Sequence, residues 1–539
     1  MKKYFIFAAL VTAGLLTSCS SSDDAISETP NVPTSNESDL VAIKIGVAQP
    51  SASITRGTGT VGGVVTSANP TTAVGNDGTN ANPINNYWKG QKVNVYMFDH
   101  GTLDVAQFND GGTAEAIYNN AVLTTPNGTS NTGIADYLVP EAEWATPGTA
   151  ERFVKYYPTT GSYDFWGYRI DDATAADPAV DGDVLKTVIS VDGTQDVLSG
   201  VAKIPANYAA IPDPSALKTA VDAYAGTFTD NEARYDAYKA NRLFSASAAR
   251  AGIQPELVFS HMMTRLTFEA YAGSDNAKAF TDTNTDGTLD ANEEYTGVYV
   301  TGIKVRAIQS VDDTDPTAPV ITYADPTKGT FEIAGTGASF APSLTWDPAT
   351  AEPAAFELKQ RAAWKHTDGT VISQATYESL DLTARANYTA IATPEAEKLV
   401  SLVDATIMDS SDPQNPVPDY RKNGAILLWN TATDGSAKNA IGEAIIAPST
   451  AAYELEISLC QDVVVKETLA GVAVEKKVKK WNTIKTTYRA GYDTDNTKTF
   501  QPGTTYNFQI KVYGLERIQI ATTLQPWVFG ENIDVNLDD

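Results

Sequence analysis

The chain has 539 residues, 42% hydrophobic and 19% charged, which excludes both a disordered polymer and a small disulfide-stapled domain and leaves room for two or three cores. Lys and Arg number 39 against 66 Asp and Glu, for a net charge of −27; so acidic a surface repels phosphate backbones, and no nucleic-acid partner is expected. Three His and two Cys leave little material for zinc or Cys/His chemistry, and 25 Tyr against 5 Met leans towards β structure.

Lys2 and Lys3 precede an apolar stretch over 4–16, 13 residues long and too short to span a bilayer comfortably, so residues 1–18 read as a signal peptide. Leu16-Thr17-Ser18-Cys19 resembles a bacterial lipobox, with Cys19 as the lipidated residue. Ser20-Ser21-Ser22-Asp23-Asp24 resembles the surface-export tag of Bacteroidetes lipoproteins, and a polar tether runs on to about Asp39. No second apolar stretch of 18 or more residues follows, so no transmembrane helix is expected.

Residues 41–47 alternate, with Val41, Ile43, Ile45 and Val47 on one face. A loose Gly/Thr/Asn/Pro run containing Arg56-Gly57 separates them from strands at 93–98, 163–170, 184–191 and 196–204. The Ala/Tyr/Glu/Lys-rich stretch 214–252 reads as one or two helices inserted in a β protein. Strands resume at 257–259, 266–268, 297–308, 343–346, 425–429, 444–447, 453–459, 463–465, 483–488 and 506–512, then at 518–523, 527–529 and 533–537. Cys460, in one of these, reads as a buried and inert thiol. Many short strands joined by polar turns indicate β-sandwiches.

In order and spacing these features resemble the Bacteroidetes fimbrillin family. The resemblance rests on the lipobox at Cys19, the strand 41–47 followed by Ser-Ile-Thr-Arg56-Gly57, and the strand 93–98 with Tyr157-Pro158 and 163–168. It rests also on His261-Met-Met-Thr-Arg-Leu-Thr-Phe268 and on Pro502-Gly-Thr-Thr-Tyr-Asn-Phe508 before a last alternating segment. The resemblance implies an all-β fold of two transthyretin-like Greek-key β-sandwich domains with a small helical insertion, and no enzymatic activity. Its divisions are a signal peptide over 1–18, a lipidated tether with a removable first strand over 19–56, an N-terminal sandwich over 57–253 and a C-terminal one over 254–539.

The resemblance implies a mechanism as well. The subunit is exported as a lipoprotein, anchored in the outer membrane and exposed at the cell surface. An Arg-specific protease cuts between Arg56 and Gly57, and loss of 41–47 opens an apolar groove with unpaired backbone. The C-terminal segment of another copy or a related fimbrial subunit, with Ile533, Val535 and Leu537 on one face, fills it by strand addition. Donor and acceptor surfaces differ, so the contact is head-to-tail and propagates as a fimbria. Arg56 and a terminal strand favour a shaft position, while the helical insertion keeps a tip adhesin open and retained lipid would mark an anchor.

One motif lies outside that resemblance. Residues 282–293 place Asp282, Asn284, Asp286, Thr288, Asp290 and Glu293 at the ligand positions of an EF-hand loop, with Gly287 at its turn and Leu289 at its apolar position. Oxygen-only ligands at this spacing suit a structural Ca2+, although the flanks read as strands rather than helices; no other cofactor is called for. Two other functions compete with the fimbrial one. A surface glycan-binding sandwich lipoprotein would use Trp364, Trp429 or Trp481 to stack on sugars. An enzyme would have to be a carboxylate-pair glycosidase drawing on two of the 66 acids, since no His-Glu-x-x-His, Gly-x-Ser-x-Gly or phosphate-loop pattern is present, and His261 reads as structural.

Overall fold

The computed structural model describes residues 40–47, 92–109, 113–124, 138–140, 155–170, 174–204, 231–250, 253–290, 293–312, 314, 320–337, 339–369, 371–373, 377, 385–390, 399–401, 408–409, 417–418, 425–448, 451–469, 472–489 and 499–526. These residues are almost entirely β, in three large sheets, with short helices at Asn231–Asn241 and Ala246–Arg250 inside the segment expected to be helical.

The first sheet runs, in spatial order, Gly46–Val47, Glu256–His261, Val197–Lys203, Tyr163–Ile170, Lys92–Asp99, Ala121–Thr124 and Val139–Pro140. All of its pairings are antiparallel except the first, where Gly46 and Val47 run parallel to Glu256 and Leu257. Both faces of this sheet are covered. From Tyr163–Ile170, Tyr163 and Phe165 enter an N-terminal core, while Trp166 and Tyr168 enter the large central core on the other side. Two covered faces explain why this strand reads as a continuous aromatic run.

The second sheet is ordered Val472–Arg489, Ala452–Leu469, Val298–Asp312, Val320–Gly335, Val184–Ser190, Thr174–Ala175. The third runs Val371–Ser373, Lys359–His366, Asn439–Ile446, Thr264–Ala272, Thr504–Val512, Ile518–Pro526, with Thr264–Ala272 and Thr504–Val512 parallel. Both contribute to the central core, through Ile303, Phe331, Leu455 and Ile457 on one side and Leu266, Phe268, Phe508 and Ile510 on the other. Pairing crosses the position expected to divide the sandwiches, since Val184–Ser190 joins Val320–Gly335. The segments read as separate short strands at 463–465 and 483–488 belong to one hairpin, whose two strands pair without a break from Ala452 with Arg489 to Leu469 with Val472.

Candidate functional site: the first-strand groove and an acidic loop

Segment 41–47 is held between two parts of the N-terminal core. On one side Ala42 bridges Tyr156 in antiparallel fashion, the Ile43 N–H donates to the Lys155 carbonyl at 2.8 Å, and the Tyr157 N–H donates to the Val41 carbonyl at 2.9 Å. The Leu138 N–H also donates to the Ile45 carbonyl at 2.9 Å. On the other side the Gly46 N–H donates to the Pro255 carbonyl at 2.8 Å, ahead of the parallel register with Glu256 and Leu257. The alternation has the expected consequence: Ile43, Ile45 and Val47 are 7%, 2% and 0% exposed, whereas Lys44 faces solvent. They share one core with Phe165, Leu257 and Phe259. Glycines let the last two residues lie flat across the sheet. A Cβ on Gly167 would meet the Leu257 side chain at 2.9 Å, and one on Gly200 would meet the Phe259 ring at 2.8 Å. This short apolar segment of the core is thus far in sequence from its partners and paired on both sides. Cys19, Arg56, Gly57, Ile533, Val535 and Leu537 lie outside the described residues.

The loop 282–293 is closed by a bridge between Phe280 and Tyr295 and preceded by one 3-10 turn, Asp275–Lys278, so it is a hairpin-like connection and not an EF-hand with two helices. Its interior follows the ligand spacing nonetheless. Gly287 has φ +76°, and its N–H donates to Asp282 Oδ2 at 2.9 Å. The other oxygen, Oδ1 of Asp282, is buried without a hydrogen-bond partner. Asp286 Oδ1 accepts from the Thr288 N–H at 2.7 Å, and Asn284 Nδ2 donates to Asp286 and Asp290 at 3.0 and 2.8 Å. Glu293 is 3% exposed and accepts from the Thr283 N–H at 2.7 Å and the Asp290 N–H at 3.0 Å. Backbone N–H groups of Asp290 and then Thr283 hold its carboxyl below the usual glutamate range. Leu289 anchors the loop on a satellite core of Tyr295, Tyr299, Ala425 and Cys460. All-oxygen donors, with one buried carboxylate oxygen lacking a protein donor, fit a hard cation.

Among the described residues the one set of three acidic ligand atoms within 4.8 Å of one another is elsewhere, at Glu352, Glu454 and Glu456. That set is already occupied by cationic side chains. Arg306 reaches Glu352 at 3.2 Å and Glu454 at 2.9 Å and pairs with Glu456, while Lys485 reaches Glu352 and Glu454 at 3.2 and 3.0 Å. Two cations among three carboxylates make an ion-pair network at the root of the long hairpin, not an open metal site.

His261, the last residue of strand Glu256–His261, is buried with its Nδ1 on the Asp196 carboxylate. Burial, with a lesser push from Asp462, raises the Cys460 thiol to about 12. Of the tryptophans picked out as sugar-stacking candidates, Trp429 packs against the satellite core, Trp364 is half-buried on Tyr377, and Trp481 is 43% exposed.

No family model and no curated protein matches the chain. Among solved structures it is similar to a candidate cell adhesion protein from Bacteroides uniformis, at 12% identity and TM-score 0.33, over 91% of this chain and 99% of that one. A candidate cell adhesion protein from Bacteroides eggerthii matches at 9% identity and TM-score 0.29, over 90% and 95% of the two chains. A fimbrial protein from Bacteroides ovatus matches at 9% identity and TM-score 0.17, over 80% and 67%.

Proposed function

We propose that this chain is a structural subunit of a surface fimbria that supports adhesion. It is exported as a lipoprotein through Cys19, held at the outer membrane, and cut after Arg56 by an Arg-specific protease. It then polymerises head-to-tail with other copies or related fimbrial subunits. The observation that supports this reading most is the seating of 41–47: buried on one face, hydrogen-bonded on both sides, and joined to the body through the stretch that carries Arg56-Gly57. Its removal leaves a slot with the dimensions and donor–acceptor pattern of one strand. A following subunit fills that slot with Ile533, Val535 and Leu537, whose alternation repeats that of Ile43, Ile45 and Val47. Determining the N-terminus of protein recovered from cells tests the reading. A Gly57 start in SDS-resistant ladders supports it. A lipidated Cys19 start, with monomers alone, refutes it in favour of an anchor or a glycan-binding lipoprotein.

The loop 282–293 supports a structural Ca2+ held by Asp282, Asn284, Asp286, Asp290 and Glu293 with the Thr288 carbonyl, because the buried Asp282 Oδ1 has no protein donor. The ion would tie the loop together and spare its carboxylates their mutual repulsion. Calorimetry on the purified chain decides: heat of binding and a raised Tm with millimolar Ca2+ are expected, both lost in Asp282→Asn, and a flat titration refutes the site.

A further inference from the structure

Strand Lys359–His366 begins beside Asn439–Ile446, where Lys359 pairs with Glu443, and then carries Val371–Ser373 and Tyr388–Ala390 as partners of its own. Trp364 and His366 are two residues apart and share a face; Tyr388, opposite His366, shares it too. Tyr377 lies flat on Trp364, with ring centroids 3.7 Å apart and planes 7° from parallel, and meets Tyr388 edge-on at 6.2 Å. His366 lies 4.8 Å from Tyr388, and the Arg385 guanidinium sits 5.3 Å over the Tyr377 ring. At the rim, His366 Nδ1 is 2.9 Å from a carboxylate oxygen of Asp368, whose side chain is 60% exposed.

The five rings and planar cations of this group are each half-buried, and none belongs to the three buried cores among the described residues. A group that served only to close this excursion of the sheet would bury its rings. This one leaves part of each ring at the surface and edges them with a carboxylate, an imidazole and a guanidinium, whose Nε donates to the Tyr377 carbonyl at 3.1 Å. A pyranose has the matching chemistry: a C–H face that packs on aromatic rings, and a rim of hydroxyls that donate to a carboxylate and accept from a guanidinium. One acid and one guanidinium nearly cancel, so the site offers no excess charge to an anionic sugar. We infer that Trp364 and Tyr388, with Tyr377 as the ring that backs Trp364 and Asp368 and Arg385 at their edge, form a binding site for a neutral pyranose at the end or branch of a glycan. The inference goes beyond the assembly reading and does not rest on it, since it is tested on monomer.

The full chain from Ser20 onward is applied to a panel of neutral oligosaccharides ending in glucose, galactose, mannose or N-acetylglucosamine, alongside sialylated and sulfated ones, and hits are titrated by calorimetry. At least one neutral glycan is expected to bind. Asp368→Ala, at an exposed position, should leave the Tm unchanged and weaken binding by about tenfold or more, while Trp481→Ala should bind as the parent does. The inference is overturned if nothing neutral binds at millimolar concentration, if only the anionic glycans bind, if Asp368→Ala binds like the parent, or if Trp481→Ala is the variant that loses binding.

Discussion

Chain truncated to begin at Gly57 should fold with a severely weakened N-terminal core. The deletion removes Ile43, Ile45 and Val47, all nearly or wholly buried. Burial of such side chains contributes about 1.5–3 kcal/mol each, so the three together contribute about 5–9 kcal/mol. Main-chain bonds from Ile43, Gly46, Leu138 and Tyr157 are lost as well, though the groups left behind regain water. Against a total stability of about 5–15 kcal/mol for a domain, this is a third or more of what holds the core together. A Tm lower by on the order of 10–30 °C is expected by calorimetry, compared with the chain from Ser20. A synthetic peptide of residues 41–47, or one carrying 527–539, should restore much of it at high concentration by refilling the slot. The reasoning fails if the truncated chain melts with its parent, because the segment would then be an ornament on a core complete without it. It fails for the donor, though not for the groove, if only the 41–47 peptide rescues.

Gly200→Ala should destabilise by about 1–3 kcal/mol, measured by urea unfolding, because its Cβ would fall 2.8 Å from the Phe259 ring in the middle of the first sheet. Arg306→Met leaves Glu352, Glu454 and Glu456 facing one another with only Lys485 between them, and should cost up to about 3–5 kcal/mol, read as a lower Tm that recovers partly at acid pH. Glu293 is held below the ordinary glutamate value of 4.5, so the stability it brings is complete above that value and lost as pH falls through the lowered one. Glu293→Gln should therefore flatten the acid limb of the stability profile in calcium-free buffer. The Cys460 thiol, raised to about 12, should ignore a thiol reagent at pH 8 in the folded chain from Ser20 and react at once in denaturant.

The sequence by itself determined the β class, through alternation and turn chemistry, and it marked out 41–47 because four apolar residues at period 2 stand alone between polar stretches. It also carried the ligand spacing of 282–293, since that pattern is local and needs no knowledge of neighbours. Other features were decided only in three dimensions. Segment 41–47 alternates like any half-buried strand, and nothing local says that it runs parallel to residues 256–257 on one side and antiparallel to 156 on the other. The ligand spacing implied nothing about the absence of flanking helices, which a bridge between Phe280 and Tyr295 replaces. The long hairpin was legible only in fragments, because Lys and Glu interrupt its apolar pattern where it pairs with itself beyond the sheet. Trp364, Tyr377 and Tyr388 are separated by stretches with no shared period, and they meet because one strand turns back twice on its neighbours. Periodicity records which face of an element avoids water; which elements then share that face depends on long-range pairing, and chain order alone does not carry it.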